Sequence, residues 1–574
     1  MNFGFPVSDS DQKRCGLSHD RRCEHAPSLK LWLCLLTLIA CIGPGNDQTL
    51  HAAEAQVSPA EVLQKPDILT AANAEANAAL NSKTHSSASS AESLSAESLI
   101  HRDAIRQTVG VLASDALEGR QAGSRGGQAA AAYLVTELKK TALEPAGTYQ
   151  WYQEFGNNCR NILAKKTGSD PALREEVILL GAHFDHVGYG NVNNSRGGVG
   201  QIHNGADDNA SGTSLLLSMA RALDAHPPLR RTVIIAFWDS EENGLIGSTH
   251  WINSGLVRTD RIRAVINTDM VGRLRNDTVK VQGWRSMAGF REILARANQS
   301  SKLRIKFDDT VNSDSDHWPF YSRRIPALQV DTELHEDYHR PTDDADRLDF
   351  EGIERISRWI FRAVLALGNQ DSLPAFRNEV FQESQRGIQY VTPLAATPPR
   401  LGLTWKNEPA EQGEILIDYV RPGSPAALAG IEVGERMISF GPFTELNTPR
   451  LKSLVVTAPP VVPVILRKPD GTQREVNLHL AGSAIRVGVA TRSDSAMPQI
   501  VGVTDVIPFS PAATAGLVPG DWIYTVARQP VGSIQKWRQT ADQMTEPTEL
   551  EVENMGQLRK VIVTPILFNM SSGS

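Results

Sequence analysis

Two histidines and a scatter of carboxylates between positions 183 and 339 carry the chemistry open to this sequence. His183 and Asp185 lie in Leu179-Leu180-Gly181-Ala182-His183-Phe184-Asp185-His186, and Asp208 in Gly205-Ala206-Asp207-Asp208-Asn209-Ala210-Ser211-Gly212. Glu241 and Glu242 follow the apolar run Val233-Ile234-Ile235-Ala236-Phe237-Trp238, Asp269 ends Val265-Ile266-Asn267-Thr268, and His339 sits in Asp337-Tyr338-His339-Arg340-Pro341. Imidazoles and carboxylates without cysteine suit a hard-to-borderline divalent cation bound for catalysis, not a thiolate-sealed structural zinc.

The set can hold two zinc ions. Such a site needs one carboxylate to bridge ions ~3.5–4 Å apart, with terminal ligands for each. Asp208, in a glycine-bounded turn before a helical pattern, suits the bridge; His183 and Asp269 can complete one ion, Glu242 and His339 the other. Of the adjacent pair Glu241 and Glu242, one can ligate while its neighbour takes a proton from the attacking water. Asp185, two residues beyond His183, can hold the imidazole's other nitrogen.

The elements that must position these residues alternate between helical and strand patterns from about 100 to 368. Gly127 to Leu143 and Thr213 to Ala225 have helical periodicity; Glu176 to Ala182, Thr232 to Trp238, Ala264 to Thr268 and Ile325 to Val330 read as strands. That alternation predicts an α/β fold, a mostly parallel sheet flanked by helices. His183 with Asp185, Glu241 with Glu242, and Asp269 each follow a strand-like run, where sites form at the carboxyl ends of such sheets.

A length of 574 residues exceeds one ordinary domain, and roughly three or four are expected. The net charge of -7 comes without a basic block, which argues against nucleic acid as a partner. Four of the five cysteines (Cys15, Cys23, Cys34, Cys41) fall in the first 41 residues, so Cys159 stands alone and no disulfide framework is available to the body of the protein.

Arg21, Arg22 and Lys30 precede the apolar stretch Leu31 to Ile42, which is too short to span a bilayer of ~30 Å. Residues 1–55 therefore read as a signal region for export from a bacterial cell to the periplasm, the medium or a membrane anchor. Two cleavage modes stay open: a lipobox-like Leu38-Ile39-Ala40-Cys41, with Cys41 lipidated, and a small-residue site at Ala53-Glu54-Ala55. Residues 56–99, rich in Ala, Ser, Asn and Glu, read as a disordered linker. The domain expected at 100–370 is followed by a loosely patterned connector at 371–399.

Beyond it the sequence repeats itself. Arg400-Leu401-Gly402-Leu403, then Pro422-Gly423-Ser424-Pro425-Ala426-Ala427, then Gly434-Glu435-Arg436-Met437-Ile438 is echoed by Val487-Gly488-Val489, Pro508-Phe509-Ser510-Pro511-Ala512-Ala513 and Gly520-Asp521-Trp522-Ile523. Each Ser-Pro-Ala-Ala predicts a capped short helix ending at Gly430 or Gly516. The two units, 400–482 and 483–570, resemble β-rich PDZ domains of the bacterial protease-associated type. That resemblance implies capture of a carboxyl-terminal or extended peptide segment by strand addition beside the loops at Arg400–Leu403 and Arg486–Val489.

The ligand-bearing region resembles the co-catalytic dizinc aminopeptidase family, which also contains glutamate carboxypeptidase II and glutaminyl cyclases. The matches run in family order: His-x-Asp at 183–185, Gly-Ala-Asp-Asp-x-Ala-Ser-Gly at 205–212, Glu-Glu-x-Gly-Leu-x-Gly-Ser at 241–248, Asn-x-Asp-Met-Val-Gly at 267–272, Ser-Asp-His at 315–317 and Tyr-His-x-Pro-x-Asp at 338–343. The resemblance implies a metallopeptidase with two zinc ions and a peptide substrate, cut at its first residue. It further implies Asp208 as the bridge with Asp207 outside the ligand set, Glu241 as general base, and Tyr338 as donor to the oxyanion. A carboxypeptidase or other amidohydrolase of the same fold is the alternative, kept open by Arg273 and Arg275; an inactive PDZ binding protein is the other. A cyclase fits least, because the two-metal set has no gap. His186, His203, His317 and His335 match no ligand position, and Asp343, Asp344 and Asp346 read as cap or surface carboxylates.

Overall fold

The computed structural model describes residues 94–156, 158–386, 400–406 and 413–568. The expected signal region at 1–55 with Cys41, and nearly all of the expected 56–99 linker, lie outside the described residues. No described helix is long and apolar enough to cross a membrane.

The first part of the described structure is built on a nine-stranded sheet. Its strands are β1 (Glu144–Pro145), β2 (Tyr152–Phe155), β3 (Cys159–Lys166), β4 (Val177–His183), β5 (Thr232–Trp238), β6 (Ile262–Thr268), β7 (Thr278–Gln282), β8 (Arg304–Asp308) and β9 (Ala327–Asp331), in the order β1-β3-β5-β4-β6-β9-β7-β8 with β2 on β3. The four central strands, β5-β4-β6-β9, are parallel, while β3 joins β5 and β7 joins β9 antiparallel. The sheet is thus parallel at its centre and mixed at its flanks.

Every residue of β4 and β5 is buried, the signature of strands covered on both faces. Alternate side chains serve opposite cores. Ile178 and Leu180 pack toward the helices Arg102–Leu112, Gly212–Ala225 and Phe350–Asn369, which contact one another; Val177 and Leu179 pack with Trp251, Phe320 and Tyr321. Asp349 caps the long helix by accepting the Gly352 N–H, and Ser124 caps Arg125–Leu138 through Gly127.

Both expected borders of this unit move outward. Ala96 and Ile100 are buried in its core, and Glu97 pairs with Arg362. The first part of the expected connector is also folded: Leu373 and Val380 are buried, and Phe376 and Phe381 stack edge-on against Tyr321. Weak periodicity hid this segment because a few large side chains, not a regular face, hold it in place.

Two antiparallel sheets follow. The first runs Leu403–Trp405, Ile415–Val420, Arg436–Phe440, Val461–Arg467 and Gln473–His479; the second is built mainly from Val489–Asp494, Met497–Val506, Trp522–Val526, Thr548–Asn554 and Gln557–Val563. The shared Ser-Pro-Ala-Ala does the same work in each. Ser424 and Ser510 cap their helices through Ala427 and Ala513, and their side chains lie against Gly402 and Gly488, both at positive φ. A Cβ on either glycine would come within 2.3 or 2.2 Å of the serine Cβ, so both loops require glycine.

The second of these units is docked on the first domain. Arg285 makes two bonds to Asp494 (2.9 and 2.7 Å) and Arg291 two to Glu553 (2.8 and 3.1 Å), all four side chains buried. Ala496, Ile500, Trp522 and Tyr524 join the core of the first domain, and the Ile305 N–H donates to Met555 O at 2.7 Å.

Candidate active site

The site forms where β4 lies between β5 and β6, since the backbone leaves β5 and returns on the far side of β4. Such switch points open a crevice at the strands' carboxyl ends. His183 is the last residue of β4; Glu241 and Glu242 follow β5, and Asp269 follows β6. Asp208 comes from an irregular turn between Gly205 (φ +55) and the helix at Gly212, with a cis peptide to Asn209.

Two donor groups meet at Asp208. His183 Nε2 lies 3.3 Å from Asp208 Oδ1 and 3.2 Å from Asp269 Oδ1. On the other side, His339 Nε2 is 3.1 Å from Asp208 Oδ2 and 3.2 Å from Glu242 Oε2. Each of these histidines places its remaining ring nitrogen against a backbone carbonyl: His183 Nδ1 on Asp185 O at 3.1 Å, His339 Nδ1 on Asn194 O at 2.8 Å. Held this way, Nε2 is the atom free to bind a cation.

Asp185 acts differently from the sequence expectation. Its nearer carboxylate oxygen is 3.7 Å from His183 Nδ1, farther than its own carbonyl. The carboxylate instead accepts the backbone N–H groups of Glu241 (3.0 Å) and Glu242 (3.4 Å). A residue after β4 thereby sets the turn after β5.

Charge is unbalanced here in a way that suits a cation. Burial pushes the Glu241 carboxyl well up, reinforced by Asp316, Glu242 and Asp269 although His183 opposes it. Burial also raises Asp269, and holds Asp316, bonded to Ser248 Oγ, at about 7. A divalent ion among these groups reverses that logic and favours their ionised forms. Donor chemistry, buried oxygens and ring-nitrogen orientation all fit zinc.

Several supports had no readable sequence signal. Arg120, fully buried, donates to Phe184 O, Leu112 O, Asn204 O and Gly205 O at 2.6–2.9 Å, tying the segments that carry His183 and Asp208. Burial lowers it only to about 10, so it keeps its charge. Asp343, expected at the surface, is buried and accepts the Asp207 and Asp208 N–H groups. The tight turn at Arg340–Asp343 folds it inward. Asp207 accepts the Gly272 N–H at 2.6 Å and pairs with His335 at 3.1 Å. His203 binds Ser195 within the 191–203 loop that also supports His339, and His317 Nε2 lies on Asn312 O.

Tyr338 stacks on His339, ring centroids 4.0 Å apart, under the Arg196 guanidinium. Burial, with Asp208, Glu242, Asp269 and Glu241 nearby, pushes its hydroxyl far up, so it stays protonated as a donor. Arg273 bonds to Asp337, and Arg275 to the carbonyls of Thr332, Glu333 and Leu334, which leaves both engaged within the protein.

Residues 161–364 match peptidase family M28, and 502–553 match the PDZ domain family. The chain thus carries a region similar to M28 peptidases, followed by a C-terminal region similar to PDZ domains. A probable zinc metalloprotease of Pyrenophora tritici-repentis is 31% identical over 165 residues, 27% of this chain and 32% of that protein. Aminopeptidase YwaD of Bacillus subtilis is 27% identical over 209 residues, 35% of this chain and 43% of its own. The chain thus spans less than half the length of these relatives. Among solved structures, the LapA aminopeptidase of Legionella pneumophila superposes with a TM-score of 0.42 at 20% identity, covering 49% of this chain and 75% of that one. The zinc aminopeptidase BSAP of Bacillus subtilis gives 0.39 at 16% identity, covering 48% and 97%. Zinc is the metal in the printed name of the Pyrenophora relative.

Proposed function

We propose that the protein is a zinc-dependent aminopeptidase that removes N-terminal residues from peptides by means of two zinc ions. The observation that carries this reading is Asp208, whose two oxygens face separate donor groups. His183, Asp208 and Asp269 would hold one ion, and Asp208, Glu242 and His339 the other. Zinc bound there supplies Lewis acidity toward the scissile carbonyl and acidifies the attacking water.

Glu241 stands beside this set with a carboxyl whose proton affinity is raised by burial, and it takes the water's proton and returns it to the leaving amine. Tyr338, kept protonated by burial and by the same carboxylates, donates to the developing oxyanion. Asp185 holds the backbone of Glu241 and Glu242 so that one can act as base while the other ligates. Relatives named aminopeptidases support cleavage at a free N-terminus. The engagement of Arg273 and Arg275 argues against a substrate carboxylate bound at that end.

The PDZ-like units are read as docking sites for extended peptide ends. In the first, a groove of about 440 Å³ runs along Leu401, Gly402, Leu403 and Val455 and is closed by Ile507 and Phe509 of the second unit. Arg400 is not a free cation there, since its guanidinium donates to the carbonyls of Val456, Ala458 and Ala481. Residues 1–55 are read as an export signal, with lipid at Cys41 as one of its two processing modes; the mass of the mature N-terminus distinguishes them.

Incubation with peptides of defined sequence, followed by mass spectrometry, tests the exopeptidase reading. A ladder losing residues from a free N-terminus, absent for N-acetylated peptides, is expected; loss from the carboxyl end or internal cuts would overturn it.

A further inference from the structure

A third histidine touches this site. His186 is fully buried, with Nδ1 2.8 Å from Glu242 Oε1 and 3.7 Å from Asp208 Oδ2, and its ring stands nearly perpendicular to that of His339. Its donors crowd within reach of one ion together with Asp208, Glu242 and His339.

The second ring nitrogen separates it from the other two. His183 and His339 each set Nδ1 against a carbonyl, which fixes Nε2 as a lone-pair donor. His186 presents Nδ1 to the site, and its Nε2 is buried without a hydrogen-bond partner among the described residues. Ligation through Nδ1 would put the ring proton on Nε2, leaving a buried N–H with no acceptor, the costlier orphan. With the proton on Nδ1, His186 donates to Glu242 Oε1, and Glu242 Oε2 is left facing His339 Nε2 at 3.2 Å.

Gly205 makes room for this arrangement. A Cβ there would lie 2.4 Å from His186 Cδ2, and its φ of +55° belongs to glycine in any case. Glu242 is then gripped twice, by Asp185 at its backbone N–H and by His186 at one carboxylate oxygen.

We propose that His186 is a positioning residue that holds Glu242 by one oxygen so that the other alone can ligate the second zinc; this rests on the two-zinc reading above. It is not itself a ligand. Asn can offer a donor where Nδ1 stands, but Ala cannot.

The test titrates zinc into metal-free wild-type, H186A and H186N protein against a competing chelator, with cobalt(II) spectra as a report on coordination and thermal melting of the metal-free proteins to show that each folds. The second ion should bind about 10–100-fold more weakly to H186A, the range seen when such outer hydrogen bonds are lost. The first ion should be unaffected, and H186N should recover most of the loss. If H186N is as weak as H186A, the imidazole is a ligand and the proposal falls. Two ions bound by H186A as tightly as by wild type would overturn this role alone. A wild-type protein holding one ion would overturn it together with the two-zinc reading.

Discussion

Asp343 accepts the backbone N–H of Asp208 at 3.1 Å from a carboxylate that is wholly buried. The same side chain accepts the Asp207 N–H, so the turn that aims Asp208 at both donor groups hangs on one carboxylate. Asp343→Ala leaves two buried N–H groups unpaired, at a cost of about 1–3 kcal/mol each. The expected result is a lower melting temperature for the zinc-free protein and weaker binding of both zinc ions. A melting curve and zinc affinity equal to wild type would show that Asp343 does not hold the turn.

Glu241 is assigned the proton transfer without a place among the ligands. Glu241→Gln should therefore lower kcat by about 10²–10⁴-fold, while zinc content, measured by elemental analysis, stays at the wild-type value. Loss of zinc in this variant would move Glu241 into the ligand set.

In the metal-free protein the His339 ring meets opposing influences. Burial disfavours its charge, but Asp208 and Glu242 win and raise it to about 10. Zinc must displace that proton at any pH below about 10, so apparent affinity should rise with pH across the neutral range and binding should release protons. Calorimetry in buffers of different ionisation enthalpy counts them. Binding without proton release would contradict the raised affinity of His339 for its proton.

Arg291 and Glu553 link the second PDZ-like unit to the peptidase domain as a buried pair. Arg291→Met leaves Glu553 buried without its cation and should cost about 3–5 kcal/mol, with the double change R291M/E553L recovering much of it. Denaturant unfolding measures both; a neutral R291M would mean that the two domains are not coupled through this pair.

How much of this could be read beforehand differs by element. Strands Thr232–Trp238 and Val177–His183 stood out because burial on both faces demands unbroken apolar runs. Of the residues now gathered at Asp208, His183, Glu242 and Asp269 could be singled out because they end or closely follow such runs, whereas Asp208 and His339 follow none and stood out only through their own local motifs. The supports were hidden. Arg120 and Asp343 look like surface charges in one dimension, and only the fold's return brings four carbonyls to one and two N–H groups to the other. The docking of the second PDZ-like unit was equally silent, since Arg285 and Asp494 are remote in sequence and neither lies in a distinctive pattern.

The central claim is cleavage at a free N-terminus by a zinc site whose proton carrier is Glu241. Hydrolysis of leucyl-nitroanilide and its N-acetyl derivative, followed before zinc removal, after it and after zinc is restored, tests it most directly. The account predicts turnover of the free-amine substrate alone, lost with the metal and regained with it. Turnover that survives complete removal of zinc, or equal turnover of the blocked substrate, would contradict it.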